Sequence, residues 1–493
     1  MRNLSPPATT PTAAHSGPPA AGSAGAPRIN KWLAGVAAVV VLSGLLFGYD
    51  QGVISGALNG IQRDFRPGTL VIEIITSWVT LGALVGALIA GGVADRLGRR
   101  RTIVWAAVLF ALGAAVEAFA PGTGILIIGR LLVGFGVGVA SVAAPLLYAA
   151  EMAPTRLRGT FVSVYQLAIT IGIFAAYLVD QLLAAGDWWR LMLGLSVVPA
   201  ILLVIAMLPL PDSAVWYLKV GQRDRAAKAL RDVRPGEDVA ADMKDIEASL
   251  GSRQTSWGEV FSPTWRAPLT LGIVLAVLQQ FTGINAVIYY GDKIFAAAGF
   301  TTAQAQTSAS TWSIGAVNVL FTFVAVAFVD RLGRRPLLLA GLVGMGLSLL
   351  TIGFCFRRLG DVTIHSDATS NAPNDAGVIM LVAMVIFIAS FAFSLGPVVW
   401  TVINEIFPST VRGRAVAVAT AANWGAAWVV TQFFLTLTDT LGEAGTFWLF
   451  AGMCVVAFLF VWFFLPETKG KSLTEIQQMW VDRNEASAGA SAT

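Results

Sequence analysis

Twelve apolar runs of roughly twenty residues or more constrain this sequence more than any other feature. A helix needs about 20 mostly apolar residues to cross a bilayer, and two stretches of that length, 131–150 and 191–211, contain no charged residue. Strands of a membrane barrel would show about ten alternating residues instead. The runs predict an all-α membrane protein with twelve transmembrane helices, at about 32–61, 71–94, 102–120, 124–150, 161–183, 190–210, 267–296, 306–329, 337–356, 378–404, 413–438 and 445–465.

The composition excludes several classes of protein. Only 13% of the residues are charged, against about 25% in soluble domains. Both cysteines, Cys355 and Cys454, lie in apolar runs, and the two histidines, His15 and His365, lie in polar low-complexity segments. A disulfide scaffold, a cysteine- or histidine-ligated metal site and histidine-based catalysis are therefore not expected. We expect no enzyme activity, no metal and no cofactor other than a proton.

The polar segments divide the chain. The first 31 residues, rich in Pro, Ala, Ser, Thr and Gly, predict a disordered tail. One long polar segment separates the sixth and seventh runs. We predict a disordered tail (1–31), a six-helix half (32–211), a cytoplasmic helical linker (212–266), a second six-helix half (267–466) and a second tail (467–493).

The basic residues predict the orientation. If the N-terminus is inside, 26 of the 33 Lys and Arg residues lie in inner tails and loops. Positive residues favour the cytoplasmic side of a membrane. Both termini are therefore predicted to be cytoplasmic in a multi-pass protein of the cell membrane, and nucleic acid is not needed to explain the pI of about 9.2.

Two inner-loop motifs occur twice. The segment Asp-Arg-Leu-Gly-Arg-Arg occurs at 95–100 and again at 330–335, and a Glu-containing motif ending in Arg-Gly occurs at 151–159 and at 405–413. The chain therefore contains two related halves. Transporters built from such repeats place the substrate between the halves near the membrane midplane.

These repeats, together with 279–285 (Gln-Gln-Phe-Thr-Gly-Ile-Asn) and 466–470 (Pro-Glu-Thr-Lys-Gly), resemble the sugar porter family of the major facilitator superfamily. The resemblance covers about 32–480 and implies the major facilitator fold. One segment differs: the family usually has Pro-Glu-Ser-Pro-Arg-Trp-Leu after the sixth span, where this chain has Pro-Asp-Ser-Ala-Val-Trp-Tyr-Leu at 211–218. The missing Arg removes one ion pair expected in the family.

Two ionisable residues interrupt apolar spans. Asp50 lies inside the first run and Arg130 near the start of the fourth, and an ionisable group inside a membrane is a functional candidate. A carboxylate beside an arginine keeps its charge, whereas away from it in a drier setting it takes a proton. The resemblance implies that Asp50 is the proton acceptor and Arg130 its partner; a static structural ion pair is the alternative. Glu117, within four residues of Pro121–Gly122, is expected to be an outer-end anchor.

Neutral amides and indole rings inside the spans fit a sugar site, since amides both donate and accept hydrogen bonds and indoles offer a flat apolar face. Hydrogen bonding between helices is the alternative. Gln280 and Asn285, five residues apart, cannot share one uninterrupted helix face, so a helix break at Gly283 is expected. The resemblance implies sugar contact for Gln166, Gln279, Gln280, Asn285, Asn318, Trp400, Asn423 and Trp424.

Charged residues recur at the cytoplasmic ends of the spans. Positive-inside anchoring explains the arginines but not the repeated carboxylates. We expect ion pairs between spans that hold the inner side shut when the outer side is open. The predicted cytoplasmic gate comprises Asp95, Arg99, Glu151, Arg158, Asp330, Arg334, Glu405 and Arg412.

The sequence therefore predicts a monomeric secondary transporter that imports a monosaccharide by proton symport with alternating access. The partners are the sugar, a proton and the lipid bilayer. A hexose such as glucose is favoured, with the pentose xylose next and galactose as a further candidate. The resemblance favours a hexose over a pentose, because Ile173 stands where some pentose-transporting relatives carry Gln. The alternatives are a facilitative uniporter without proton coupling and, less favoured, a sugar sensor.

Overall fold

The computed structural model describes residues 30–154, 157–186, 188–234, 238–251, 257–359, 375–407 and 409–467, together with Lys469, Glu475 and Gln478. Eleven helical segments in this part of the chain are long and apolar enough to cross a membrane. The remaining predicted span is the helix Ser409–Gln432, which is less apolar. The all-α prediction is confirmed, and all twelve predicted runs are helical.

The first half contains six spans. The fourth span passes through a π-helical turn, and the sixth is interrupted between two helices. Its helices are Lys31–Phe65, Thr69–Leu97, Arg99–Ala118, Thr123–Val142 with Ala143–Ala149 and Ala150–Met152, Arg158–Leu183 with Ala184–Gly186, and Trp189–Gly194 with Val197–Met207.

The second half repeats this plan with more interruptions. Gly283, at φ 85°, ends one helix and begins the next, so the predicted break in the seventh span is confirmed. The helices are Pro263–Phe281, Ile284–Tyr289 and Gly291–Ala297; Ala303–Ser310, Thr311–Ala316 and Val317–Leu332; Arg334–Leu359; Asp375–Phe393 and Leu395–Glu405; Ser409–Gln432; and Phe434–Phe464.

The bundle has two ends. Lys31, Leu97 and Phe464 lie at the end where the chain enters the first span and leaves the last, and we term this the tail end. Phe65 and Phe434 lie at the opposite end, which we term the far end.

The linker is helical, at Ala214–Lys219, Arg223–Val233, Val239–Gly251 and Trp257–Val260. Arg234 is 4% exposed, and its guanidinium donates to the carbonyl oxygens of Glu151, Met152 and Ala153 at 2.9–3.0 Å. Asp242 pairs with the same guanidinium at 2.7 Å. Because the last carbonyls of a helix lack partners within it, this contact docks the linker on the end of the fourth span.

The repeated motif forms the same turn in both halves. Gly98 and Gly333 have φ of 94° and 91°, a region that favours glycine. The next helix is capped by a distant carboxylate: Asp212 accepts from the Arg99 N–H at 2.8 Å, and Glu467 accepts from the Arg334 N–H at 3.1 Å. Burial raises the pKa of Asp212, although backbone N–H groups favour its charged form. The divergent segment 211–218 thus retains the carboxylate that the turn needs.

Hydrogen bonds join the two halves at the far end. Glu73 of the second span accepts from the N–H and the hydroxyl of Thr436 at 2.7 and 2.9 Å. Ser77 donates to Gln432 at 2.7 Å, and Tyr177 donates from its hydroxyl to the Ile288 carbonyl at 2.7 Å. The structure is therefore a conformation in which the halves are held together at the far end.

Candidate functional site

Asp50 and Arg130 meet in the interior of the first half. Arg130 Nη1 lies 2.8 Å from Asp50 Oδ1, with side-chain exposures of 0% and 4%. Arg130 Nε donates to the Ile75 carbonyl oxygen at 3.1 Å. The two charges that the sequence singled out thus form a buried ion pair that faces neither water nor lipid. Removing one partner of such a pair costs about 3–5 kcal/mol, because the other is left uncompensated.

Glu117 is not the outer-end anchor expected from the sequence. Its side chain is 1% exposed, and its Oε1 lies 3.7 Å from Arg130 Nη1. The third span packs closely on the fourth at this point: a Cβ atom at Gly129 would lie 2.6 Å from Glu117 Cγ. The glycine makes room for the carboxyl group beside the arginine, so the expectation was wrong.

A cavity of about 170 Å³ lies between the two halves. Its volume suits a small molecule. Its lining includes all eight residues proposed from the sequence to bind sugar: Gln166, Gln279, Gln280, Asn285, Asn318, Trp400, Asn423 and Trp424. Ile173 lines it as well. The structure brings the set together, and its contact with sugar stays a prediction.

The amides of the cavity form one network. Asn285 Nδ2 donates to Gln280 Oε1 at 2.8 Å, across the break at Gly283. Asn423 Nδ2 donates to Gln279 Oε1 at 2.8 Å, and Gln280 Nε2 donates to Asn423 Oδ1 at 3.3 Å. Each amide therefore holds its neighbour in orientation while keeping hydrogen-bonding capacity for a neutral polar ligand.

Aromatic side chains complete the cavity. Trp424 of the second half packs on Phe47 of the first, with ring centroids 5.2 Å apart, and the Tyr165 hydroxyl is buried without a hydrogen-bond partner in the described part of the chain. Tyr165 also lines the cavity. The sequence reasoning missed it, because an aromatic residue in an apolar run is typical of packing alone.

Gln51 links the cavity to the ion pair. It follows Asp50 directly in the first span and lines the cavity. Its Nε2 donates to the Tyr289 hydroxyl at 3.4 Å. Asp50 is therefore adjacent in sequence to a residue that lines the cavity. The candidate binding residues predicted from the sequence do not include Gln51, although a polar amide directly after Asp50 in an apolar span is visible in the sequence.

The predicted gate residues lie at the tail end, in separate clusters. Arg99 pairs with Glu151 at 2.7 Å and with Asp95 at 3.0 Å, and Lys219 reaches the same Asp95 oxygen at 3.0 Å. The sequence reasoning did not include Lys219, which directly follows the divergent segment 211–218.

In the second half, Arg334 pairs with Glu405 at 2.7 Å, and Arg412 donates to the Phe407 carbonyl oxygen at 3.0 and 2.9 Å. The side chains of Arg158 and Asp330 lie outside the described residues. These ion pairs each join spans of one half, so a role in closing one half on the other stays a prediction.

Residues 36–480 match the family described as sugar (and other) transporter. The chain belongs to this family. It is 37% identical to the arabinose-proton symporter of Bacillus subtilis, over 89% of this chain and 93% of that protein. It is 38% identical to the glucose transporter GlcP of Staphylococcus epidermidis (93% and 99%) and to the galactose-proton symporter of Escherichia coli (89% and 92%).

Solved structures of this family show the same fold. The partially occluded inward open conformation of the xylose transporter XylE from E. coli matches with a TM-score of 0.76 and 29% identity, over 90% of this chain and 100% of that one. The major facilitator superfamily proton:xylose symporter XylE bound to 6-bromo-6-deoxy-D-glucose matches with a TM-score of 0.75 and 29% identity, over 91% and 99%. The sugar transporter described here is thus a multi-pass membrane protein with the major facilitator fold.

Proposed function

We propose that this sugar transporter imports a monosaccharide by proton symport across the cell membrane, with the tail end cytoplasmic. The observation that carries the proposal is the buried Asp50–Arg130 pair, 2.8 Å apart, in which Asp50 directly precedes Gln51, a residue that lines the amide-rich cavity. Relatives named as arabinose- and galactose-proton symporters support it. The excess of Lys and Arg in the tail-end loops supports the orientation.

Sugar recognition is assigned to the amide network. Hydroxyl groups donate and accept without charge, so Gln279, Gln280 and Asn423 satisfy them without the desolvation cost of an ionised group. Trp400 and Trp424 supply apolar ring faces for the C–H side of a pyranose. We propose a hexose such as glucose as the substrate. Ile173 lacks the amide that Gln provides at this position in some pentose-transporting relatives, so the cavity has no hydrogen-bonding group there for a pentose.

Proton coupling is assigned to Asp50. Beside Arg130 its carboxylate is stabilised by charge, and a proton on Asp50 removes that attraction. When the attraction between Asp50 and Arg130 is lost, the first span moves, and Gln51 changes its position in the cavity where the sugar binds between the halves. Alternating the two states of the pair as the halves rock couples proton entry to sugar entry.

Gating is assigned to the two ends of the cleft. The far-end contacts of Glu73 with Thr436 and of Ser77 with Gln432 close the outer side in this conformation. We propose that the tail-end carboxylates, among them Glu405, help to close the inner side in the opposite conformation. The matching inward open structures support this assignment of the ends.

Purified protein in liposomes tests the proposal. Labelled glucose, galactose, xylose and arabinose are supplied at equal concentration, with and without an imposed pH gradient, acid outside. Symport predicts accumulation above the outside concentration that an uncoupler abolishes. Sugar exchange without pH dependence, and uptake that the uncoupler leaves intact, would identify a facilitative uniporter instead.

A further inference from the structure

Three buried ionisable side chains meet where the first, third and fourth spans pack together. Arg130 lies between two carboxyl groups, with Asp50 Oδ1 at 2.8 Å and Glu117 Oε1 at 3.7 Å, and the three side chains are 0–4% exposed. With both carboxyls ionised, the group carries one uncompensated negative charge. Such a charge is costly inside a membrane protein. One proton shared by the two carboxyls makes the group neutral.

The geometry decides where that proton lies in this conformation. Arg130 Nη1 donates to Asp50, whereas Glu117 Oε1 has no hydrogen-bond partner in the described part of the chain. A buried carboxylate oxygen without a donor is unfavourable. Asp50 is therefore the ionised partner of Arg130 here, and Glu117 is the carboxyl that holds the proton.

The Arg130 guanidinium lies close enough to both carboxyl groups to pair with either of them. Its Nη2 has no acceptor among the described residues, and the two carboxyl distances from Nη1, 2.8 and 3.7 Å, differ by about 0.9 Å. Of the spans packed around this site, the seventh contributes Tyr289, whose neutral hydroxyl accepts from Gln51 at 3.4 Å. Two charged side chains of neighbouring spans have partners of their own: Glu73 of the second is held by Thr436, and Arg190 of the sixth pairs with Asp64 at 2.9 Å.

We propose that Glu117 is the second proton-binding carboxyl of the coupling site, and that it sets the pH range of transport by competing with Asp50 for Arg130. The inference rests on the proposed symport. The group takes up and releases one proton per cycle, and the proton resides on whichever carboxyl Arg130 is not engaging. With Glu117 present, proton binding removes the one uncompensated negative charge of the group and is therefore favoured. Without Glu117, the proton has to bind to Asp50 in its neutral ion pair with Arg130, which requires a lower pH.

The first test is the pH dependence of sugar uptake driven by a pH gradient, normalised to each variant's own maximum. Glu117→Gln should shift the half-maximal pH towards acid by about one pH unit or more. Glu117→Asp should restore the wild-type midpoint. Glu247→Gln, which removes a carboxyl from an exposed linker pair with Arg223, is the matched control and should leave the midpoint in place. An unchanged midpoint in Glu117→Gln would overturn the inference.

Infrared difference spectroscopy of the purified protein tests the same inference without transport. Asp180 and Asp292 are also buried carboxyls with an oxygen that lacks a hydrogen-bond partner among the described residues, so the signal of Glu117 is read from difference spectra of variant against wild type. At neutral pH, the carbonyl stretch of one buried protonated carboxyl should be lost in Glu117→Gln but kept in Glu247→Gln. The same component should be lost in Asp50→Asn, because Glu117 then becomes the ionised partner of Arg130. An unchanged carbonyl intensity in Glu117→Gln or Asp50→Asn would refute the competition.

The two proposals fail separately. If the wild type shows no gradient-driven uptake, the symport is wrong, whatever the infrared bands show. If the wild type is coupled but Glu117→Gln changes neither the midpoint nor the band, only the role of Glu117 is wrong.

Discussion

Gln280→Ala removes the centre of the amide network. Gln280 is 7% exposed, accepts from Asn285 at 2.8 Å and donates to Asn423 at 3.3 Å. A sugar in the cavity loses the hydrogen bonds to this amide, and its two neighbours lose their fixed orientation. Two neutral hydrogen bonds contribute about 1–3 kcal/mol together. The dissociation constant should therefore rise roughly five- to 150-fold.

Equilibrium binding of the best-transported labelled sugar to purified protein measures this effect. Gln222→Ala is the matched control, because Gln222 is exposed on the linker and contacts only Arg225 through its side chain among the hydrogen bonds described. Its affinity should equal that of the wild type. If Gln280→Ala binds the sugar as tightly as the wild type, the cavity network is not the sugar site.

Two further predictions concern gating and packing. Glu405→Gln neutralises a carboxylate that is 26% exposed and pairs with Arg334, which is 11% exposed. If this charge contributes about 1 kcal/mol to tail-end closure, thiol labelling of Ser163→Cys in the cavity should rise roughly two- to fivefold. Unchanged labelling would count against the gate. Gly134→Ala places a Cβ atom 2.0 Å from the Val79 carbonyl oxygen and should lower stability by about 1–3 kcal/mol, seen as a lower melting temperature in detergent. Gly92→Ala, with nothing within 4 Å, is the control, and an equal melting temperature for the two variants would contradict the packing account.

Sequence reasoning was most successful where one physical requirement dominates. The length of an apolar run is set by the bilayer, so most spans were found to within a few residues. The last helix is the exception: it begins at Phe434, whereas the predicted run begins at residue 445, just after the kink at Gly442. Gly283 was expected to break a helix, and its φ of 85° is a conformation that glycine adopts without strain. Asp50 and Arg130 are charged residues in apolar spans and therefore require compensating partners, and the structure pairs them with each other.

The missed residues depend on packing that a single sequence does not show. Glu117 lies one residue before the end of its helix at Ala118, so its position indicated the surface. The close approach of Gly129 turns it inward. Arg234 belongs to a polar linker, yet it is 4% exposed because helix-end carbonyls accept its protons. The Tyr165 hydroxyl has no signature in sequence.

The central claim is that a proton on Asp50 drives the uptake of sugar. Asp50→Asn keeps the shape of the side chain and removes its charge. In liposomes with an acid exterior, this variant should still exchange labelled sugar in counterflow but should not accumulate it above the outside concentration. Accumulation that persists in Asp50→Asn under the same pH gradient would contradict the account.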